Sequence, residues 1–300
     1  PQGPFRRWRL NANGWGGSTW GWEGLKGGGN VNGSFQLANF WGGHVGVNYN
    51  TPALSTGLLR GGPAFQTETA WNGWGGLNSD ARRVVQLNLN VNWSVRPESG
   101  SWRYSVSPNV SWRPSGRTSL SAGTSFNRNV DDRQWVRRLD TDAPHYLFAR
   151  LDQTTFGLTG RIDHAFTPTL SLQLYAQPFV SAGSYDQFKR VLDPRAEVYA
   201  DRFEATEVSK EPDGRYRTTL PGSSQAVTFR NPDFDARQFR SNTVLRWEYR
   251  PGSTLYLVWA QGRSFSGGEG AFDLGGNLRD LFSVQPENVL MIKASYWLNP

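Results

Sequence analysis

Three histidines, His44, His145 and His164, are the side chains best suited to acid–base work near neutral pH. Cysteine is absent, which removes thiolate nucleophiles, thiolate metal sites and disulfides together. A hydrolase would need one histidine beside a serine, with a third group orienting it. His164 falls among the apolar positions of an alternating segment, so it reads as an interfacial anchor, and hydrolysis is kept as the minor alternative. Acidic residues gather in 183–237: Asp186, Asp193, Glu197, Asp201, Glu204, Glu207, Glu211 and Asp213. Their spacing is not that of an EF-hand. A solvated lid is the plain reading, a Ca²⁺ site a lesser one, and paired acid–base carboxylates the least. No other cofactor is expected. The glycine runs at 14–17 and 27–29 lack the following Lys-Ser/Thr of a phosphate cradle.

Two further sets of side chains suggest recognition rather than reaction. Arg7, Arg9, Arg103, Arg161, Asp163, Arg246, Glu248 and Arg250 occupy the polar positions of alternating segments, where they would line an aqueous lumen or pair across it. Rings of such charges set pore selectivity. Arg60, in Leu59-Arg60-Gly61-Gly62-Pro63, is either a constriction charge or part of a tight loop that needs glycine's backbone freedom, the plainer choice. Trp15, Trp20 and Trp22 fall in an expected loop, where exposed rings stack on sugar faces. Trp71 and Trp74 are expected as girdle residues near the end with short connections.

Such residues must be held by strands. Val85, Leu87, Leu89, Val91, Trp93 and Val95 alternate with Gln86, Asn88, Asn90, Asn92 and Ser94, and after a turn at 97–100 the pattern resumes through Trp102, Tyr104, Val106, Pro108, Val110 and Trp112. This is period two, the mark of a strand with one apolar and one polar face. Similar runs recur near 5–13, 30–41, 43–50, 63–75, 117–128, 154–166, 169–182, 238–250, 253–264 and 288–298, giving about twelve strands. The connections at 41–43, 76–80, 114–116, 167–168 and 251–252 are short and separated by even numbers of strands, so they share one end. Long loops, expected at 14–29, 51–62, 129–153, 183–237 and 265–287, share the other. A transmembrane barrel sorts its connections this way, short inside and long outside.

The 300-residue chain carries 34 Gly, 14 Trp, 17 Phe and 10 Tyr, yet only 19% charged residues. No run of about 18 apolar residues occurs, so a membrane-spanning helix is not expected and a barrel remains as the way to cross a bilayer. The formal charge of +7 comes mostly from scattered Arg, unlike the single basic face of a nucleic-acid binder. Lipopolysaccharide is the better counter-charge. The chain opens on Pro1, which fits a processed protein or a fragment.

Leu59-Arg60-Gly61-Gly62-Pro63-Ala64, Thr169 to Phe179, Asn231-Pro232-Asp233-Phe234, Leu245 to Leu255 and the closing Ser295-Tyr296-Trp297-Leu298 resemble the DUF5916 family. The resemblance implies a C-terminal outer-membrane barrel, preceded in full-length members by a domain similar to family 9 carbohydrate-binding modules. Gly3-Pro4-Phe5-Arg6-Arg7 is similar to a point already inside that barrel region, so the twelve strands are expected to belong to a larger barrel. Tyr296 and Leu298 resemble the signal read by the barrel-insertion machinery. The expectation is therefore an all-β, antiparallel up-and-down barrel in the bacterial outer membrane. It would act as a channel or transporter-like protein for polar solutes such as oligosaccharides or peptides, or as a non-conducting anchor that docks other proteins.

Overall fold

The computed structural model describes residues 3–140, 143–221, 226–267 and 269–298. Twelve strands form one antiparallel meander: β1 (Phe5–Ser18), β2 (Gly24–Leu37), β3 (Gly42–Asn50), β4 (Ala70–Asn78), β5 (Val85–Arg96), β6 (Ser101–Ser115), β7 (Thr118–Asp140), β8 (Pro144–Thr167), β9 (Leu170–Val191), β10 (Phe234–Arg250), β11 (Ser253–Gly267) and β12 (Glu287–Ser295). Each pairs with its neighbours in sequence, as hairpin-forming alternation dictates. One helix, α1 (Leu274–Ser283), lies between β11 and β12. It is the one α-helix among the described residues, and no helix there is long and apolar enough to cross a bilayer.

Closure into a barrel, expected from the alternation, is not found. Among the described residues β1 pairs only with β2 and β12 only with β11, so the sheet is open with two edges. Closing a sheet requires the outer edges of the first and last strands to meet at a stagger fixed by strand number and tilt. Here every residue of β12 is exposed.

The two faces are continuous across the sheet. On one, Val85, Trp112, Leu120, Ile162, Leu174, Thr243, Trp259 and Leu290 stand side by side on eight successive strands. On the other, Asn11, Asn32, Gly46, Trp74, Asn92, Ser105, Asn127, Thr155, Ser181, Ala236 and Ser266 run side by side from β1 to β11. Polar side chains bond across strands on this second face, as in Asn11 Nδ2 to Asn32 Oδ1 at 3.1 Å and Asn13 Nδ2 to Asn30 Oδ1 at 2.8 Å. The apolar face is left bare: Trp259 is 47% and Leu290 79% exposed.

Connections sort by end as the sequence implies. Those joining β2–β3, β4–β5, β6–β7, β8–β9 and β10–β11 are short and share one end. Loop bounds differ, however. The expected loops 14–29, 129–153, 183–237 and 265–287 are partly strand: β1 and β2 run to Ser18 and from Gly24, β7 and β8 run through 129–153, β9 extends to Val191, and β11 to Gly267. Conversely the connection expected at 51–62 continues to 69, because Leu59, Phe65 and Glu68 are buried there rather than strung along a strand.

The projecting parts of β7–β9 are long because they acquire cores of their own. Leu59 and Phe65 from the β3–β4 connection pack on Tyr146 and Phe148, together with Trp135 and Phe203. Leu220 and Phe229, from a three-stranded sheet of Ser209–Lys210, Arg215–Thr219 and Ala226–Arg230, pack on Leu139 and Leu147. Burying each such side chain contributes about 1.5–3 kcal/mol. The hairpin is thus covered on both sides by chain, unlike the bare body of the sheet.

Candidate functional site

Two features stand out: the polar face, and a cap over the long-loop end. Arg7, Arg9, Arg103, Arg161, Asp163, Arg246 and Glu248 all lie on the polar face, as the alternation predicts. They do not form one ring. Arg161 sits over the Tyr175 ring at 5.6 Å and, with Asp163, Gln173 and Asn242, borders a groove of about 400 Å³. Arg246 donates to Glu248 Oε2 at 2.9 Å. Arg103 stands four strands from Arg246 in sheet order, β6 and β10 being separated by β7, β8 and β9. With the Asn127 carboxamide turned so that its oxygen faces the guanidinium, Arg103 Nε donates to it at 2.8 Å.

Arg60 is not on this face. Its φ of 49° places it in the left-handed region, and its guanidinium lies 5.2 Å from the Trp135 ring on the projecting hairpin. The constriction expectation is corrected accordingly: Arg60 belongs to the cap.

The tryptophans also move. Trp15 is in β1, on the polar face, with its ring against Gly28 of β2. Trp20 and Trp22 do occupy the β1–β2 turn and are almost fully exposed. Trp71 lies at the long-loop end of β4, not the short-turn end, with its ring centroid 4.7 Å from that of Tyr49. Trp74 lies on the polar face, its ring resting on Gly46, where a Cβ would come within 2.2 Å of Trp74 Cζ2. These shifts follow from β4 beginning at Ala70 rather than near 63. Such aromatic-on-glycine pairs depend on cross-strand register, which sequence spacing does not reveal.

None of the histidines stands in a serine triad among the described residues. His164 Nδ1 is 2.9 Å from Thr118 Oγ1, and its ring packs edge-on to Phe166. His44 is on the polar face against Gly76, and His145 lies opposite Leu139 in the projecting hairpin. Asp193 and Asp213 accept from the backbone N–H of Arg195 and Arg215, and Glu204 pairs with Arg190. These three acids are thereby engaged in turns and an ion pair. No group of three or more potential metal-binding side chains gathers among the described residues.

The cap was not legible as a unit. After β9 the chain turns back over the strand ends: Gln66 N–H donates to Pro194 O, Arg202 approaches Glu98 at 3.9 Å, and Arg195 pairs with Glu23 at 2.6 Å. In a flat sheet, β2 and β9 would lie seven strand spacings apart, or about 34 Å. The four residues from Val191 to Arg195 span at most about 14 Å. The sheet therefore curls, or its projecting hairpin leans over it, and the 192–205 segment crosses the intervening strand ends.

Buried charges hold this crossing. Glu68 accepts from Ser99 N–H at 3.1 Å and lies 3.6 Å from Arg133, with both side chains nearly inaccessible. Burial pushes the Glu68 carboxyl above its usual range, opposed by Ser99 and Arg133. Asp132 accepts from Lys189 and from the Tyr199 hydroxyl at 2.9 Å. Tyr199 is driven well above the ordinary phenol range by burial and by Asp132. Arg202 is almost fully buried and donates to the carbonyls of Ala196 and Glu197 at 2.7 and 2.6 Å. Removing one partner from such buried sets costs about 3–5 kcal/mol.

Beyond β11, α1 packs on the sheet through buried Leu281 and a Phe239–Phe282 contact of 5.1 Å. Asn277 Nδ2 donates to Asp235 Oδ2 at 3.1 Å, and Arg237 bridges Asp235 and Asp280. After β12, Tyr296 accepts from Arg250 Nη1 at 2.7 Å, while Leu298 is exposed.

A search of curated proteins returned no match. The family model described as a domain of unknown function, DUF5916, matches residues 28–299, which covers β3 to β12 and most of β2, together with the cap and α1. On that extent of agreement, the chain belongs to the DUF5916 family.

Proposed function

We propose that this chain forms the wall of a bacterial outer-membrane β-barrel that passes polar solutes, oligosaccharides or peptides among them. The observation that carries the reading is the sorting of apolar side chains to one bare face, followed across eight strands, and of polar side chains to the other, followed across eleven. A contiguous apolar surface of that size needs a cover. On β6 the apolar face is bounded by Trp102 and Trp112, with Tyr49 and Trp71 near the first and Phe166 and Trp247 near the second. Ten residues of strand rise about 33 Å, which a tilt of about 40° reduces to about 25 Å, the height of a barrel's apolar band. Lipid fits that band, lipopolysaccharide fits the scattered arginines, and the insertion machinery would read Tyr296 and Leu298.

The test is single-channel conductance of the purified chain in planar bilayers. Discrete cation- or anion-weighted openings are expected, and their absence from correctly folded protein sinks the transport reading. The cap favours a second reading, a closed barrel that docks a periplasmic or surface partner such as a carbohydrate-binding-like domain. That reading requires no conductance in both the native chain and a Glu68→Ala, Arg133→Ala variant with a loosened cap.

A further inference from the structure

We infer that the β1–β6 part of the polar face is a binding surface for neutral, linear oligosaccharides, with Trp74 and Trp15 as its stacking platforms. This rests on the reading that the polar face meets water, and it specifies the ligand class of that face. The two parts of the face differ in chemistry. Toward β8–β12 it carries Arg161, Asp163, Arg240, Arg246 and Glu248. On β1–β6 its central rows are uncharged and rich in carboxamides, among them Asn30, Asn32, Asn48, Asn72, Asn90 and Asn92.

A carboxamide offers both donors and acceptors from one rigid plane. A sugar hydroxyl also donates and accepts, so a field of amides matches a field of hydroxyls without any net charge. A carboxylated or phosphorylated ligand would instead select arginine forks. Arg7 and Arg9 on β1 and Arg103 on β6 stand at the borders of this surface rather than in its central rows, and Arg103 has its guanidinium directed to the Asn127 carboxamide.

The aromatic component is built into the backbone. Gly46 lacks the Cβ that would strike Trp74, so the indole rests against β3, and the ring borders a groove of about 420 Å³. Asn72, Asn92, Ser94, Arg103 and Ser105 line that groove beside the ring. Trp15 likewise rests against Gly28, where a Cβ would come within 2.3 Å of the Tyr49 carbonyl oxygen and 2.9 Å of the indole. Flat indoles present a large apolar π face with little conformational entropy to lose on binding. Gly28 pairs with Asn50 and Asn32 with Gly46 in the β2–β3 ladder, so the two platforms lie four residues apart along β2, or about 13 Å. A ligand touching both must be an oligomer, and the alternation of ring and amide suits an extended chain of sugars.

The experiment is isothermal titration of the full chain, folded in detergent, with cellohexaose, maltohexaose and xylohexaose, and with hexagalacturonate as the charged counterpart. At least one neutral hexasaccharide is expected to bind, glucose is not, and hexagalacturonate should bind more weakly. Trp74→Ala and Trp15→Ala should each weaken the neutral ligand about tenfold, a 1.4 kcal/mol effect. Trp74→Phe, which keeps a ring, should restore part of the loss, and Asn92→Asp should weaken binding without touching either ring. Heat-resistant migration and circular dichroism identify folded variants.

Absence of binding to all three neutral ligands overturns the inference, as does preference for hexagalacturonate or an unchanged affinity in folded Trp74→Ala. The outcomes separate from those of the channel reading. Conductance without sugar binding removes this inference and leaves the channel. Binding without conductance leaves the sugar surface and removes the channel.

Discussion

If the apolar face is covered by lipid, one inserted charge should cost very different amounts at adjacent residues of the same strand. Val106 lies on the apolar face of β6, between Val91 and Phe126 and close to midway between Trp102 and Trp112. Ser107 points to the polar face opposite Asn90. An arginine at the lipid-facing midplane of a barrel costs about 2–4 kcal/mol, falling to about 0–1 at the interfaces. Val106→Arg is therefore expected to lower the folding equilibrium roughly thirtyfold or more. Ser107→Arg keeps its charge in a polar setting and should change stability by less than about 1 kcal/mol. The assay is reversible guanidinium unfolding from phospholipid vesicles, followed by tryptophan fluorescence. Equal costs for the two substitutions, or a larger cost for Ser107→Arg, would refute the assignment of faces to lipid and water.

Further expectations concern the cap, the glycine rests and the short-turn end. Glu68 has a folded-state pKa above its ordinary 4.5, so its contribution is fully present below that value and is lost as pH rises through the raised one. Hydrogen exchange in residues 51–69, corrected for intrinsic rates, should accordingly slow on acidification toward pH 4.5, and Glu68→Gln should flatten that dependence. Gly73→Val would place a Cβ within 2.3 Å of the Trp93 indole and should destabilise the sheet by about 1–3 kcal/mol in the same unfolding assay, through overpacking. Asp80, held down to about 2 by Arg82, contributes stability above its ordinary 3.8 that is lost as pH falls through about 2. Carboxyl NMR titration should find that low midpoint in the native chain and a near-ordinary one in Arg82→Gln.

The strands were legible because apolar–polar alternation is a local property: each of β5 and β6 shows its two faces within a dozen residues. The even spacing of short turns was legible for the same reason, since counting strands needs no knowledge of packing. The projecting parts of β7–β9 were not, because Trp135, Tyr146, Leu147 and Phe148 serve two cores on opposite sides and so abandon one-face alternation. Glu68 and Arg133 are brought together across 65 positions of chain, a pairing no motif announces. Helix α1 was hidden by Gly275 and Gly276, poor helix formers whose place is secured by tertiary bonds from Asn277 and Asp280. Among the candidate residues, faces were readable and partners were not. Arg161, Asp163, Arg246 and Glu248 lie where parity puts them, whereas Trp15 and Trp74 owe their settings to glycines on neighbouring strands.

The uninterrupted meander has an evolutionary consequence. Because the twelve main strands pair with one another only in sequence order, apart from the short Phe203–Ala205 strand added beside β9, a hairpin is a unit that can be gained or lost without rerouting the rest. Adding or deleting two strands widens or narrows the sheet yet returns every later loop to its original end, whereas a single-strand change would invert all that follows. Relatives of different width are thus reachable by duplication of β-hairpins, and size should vary within the family in steps of two strands.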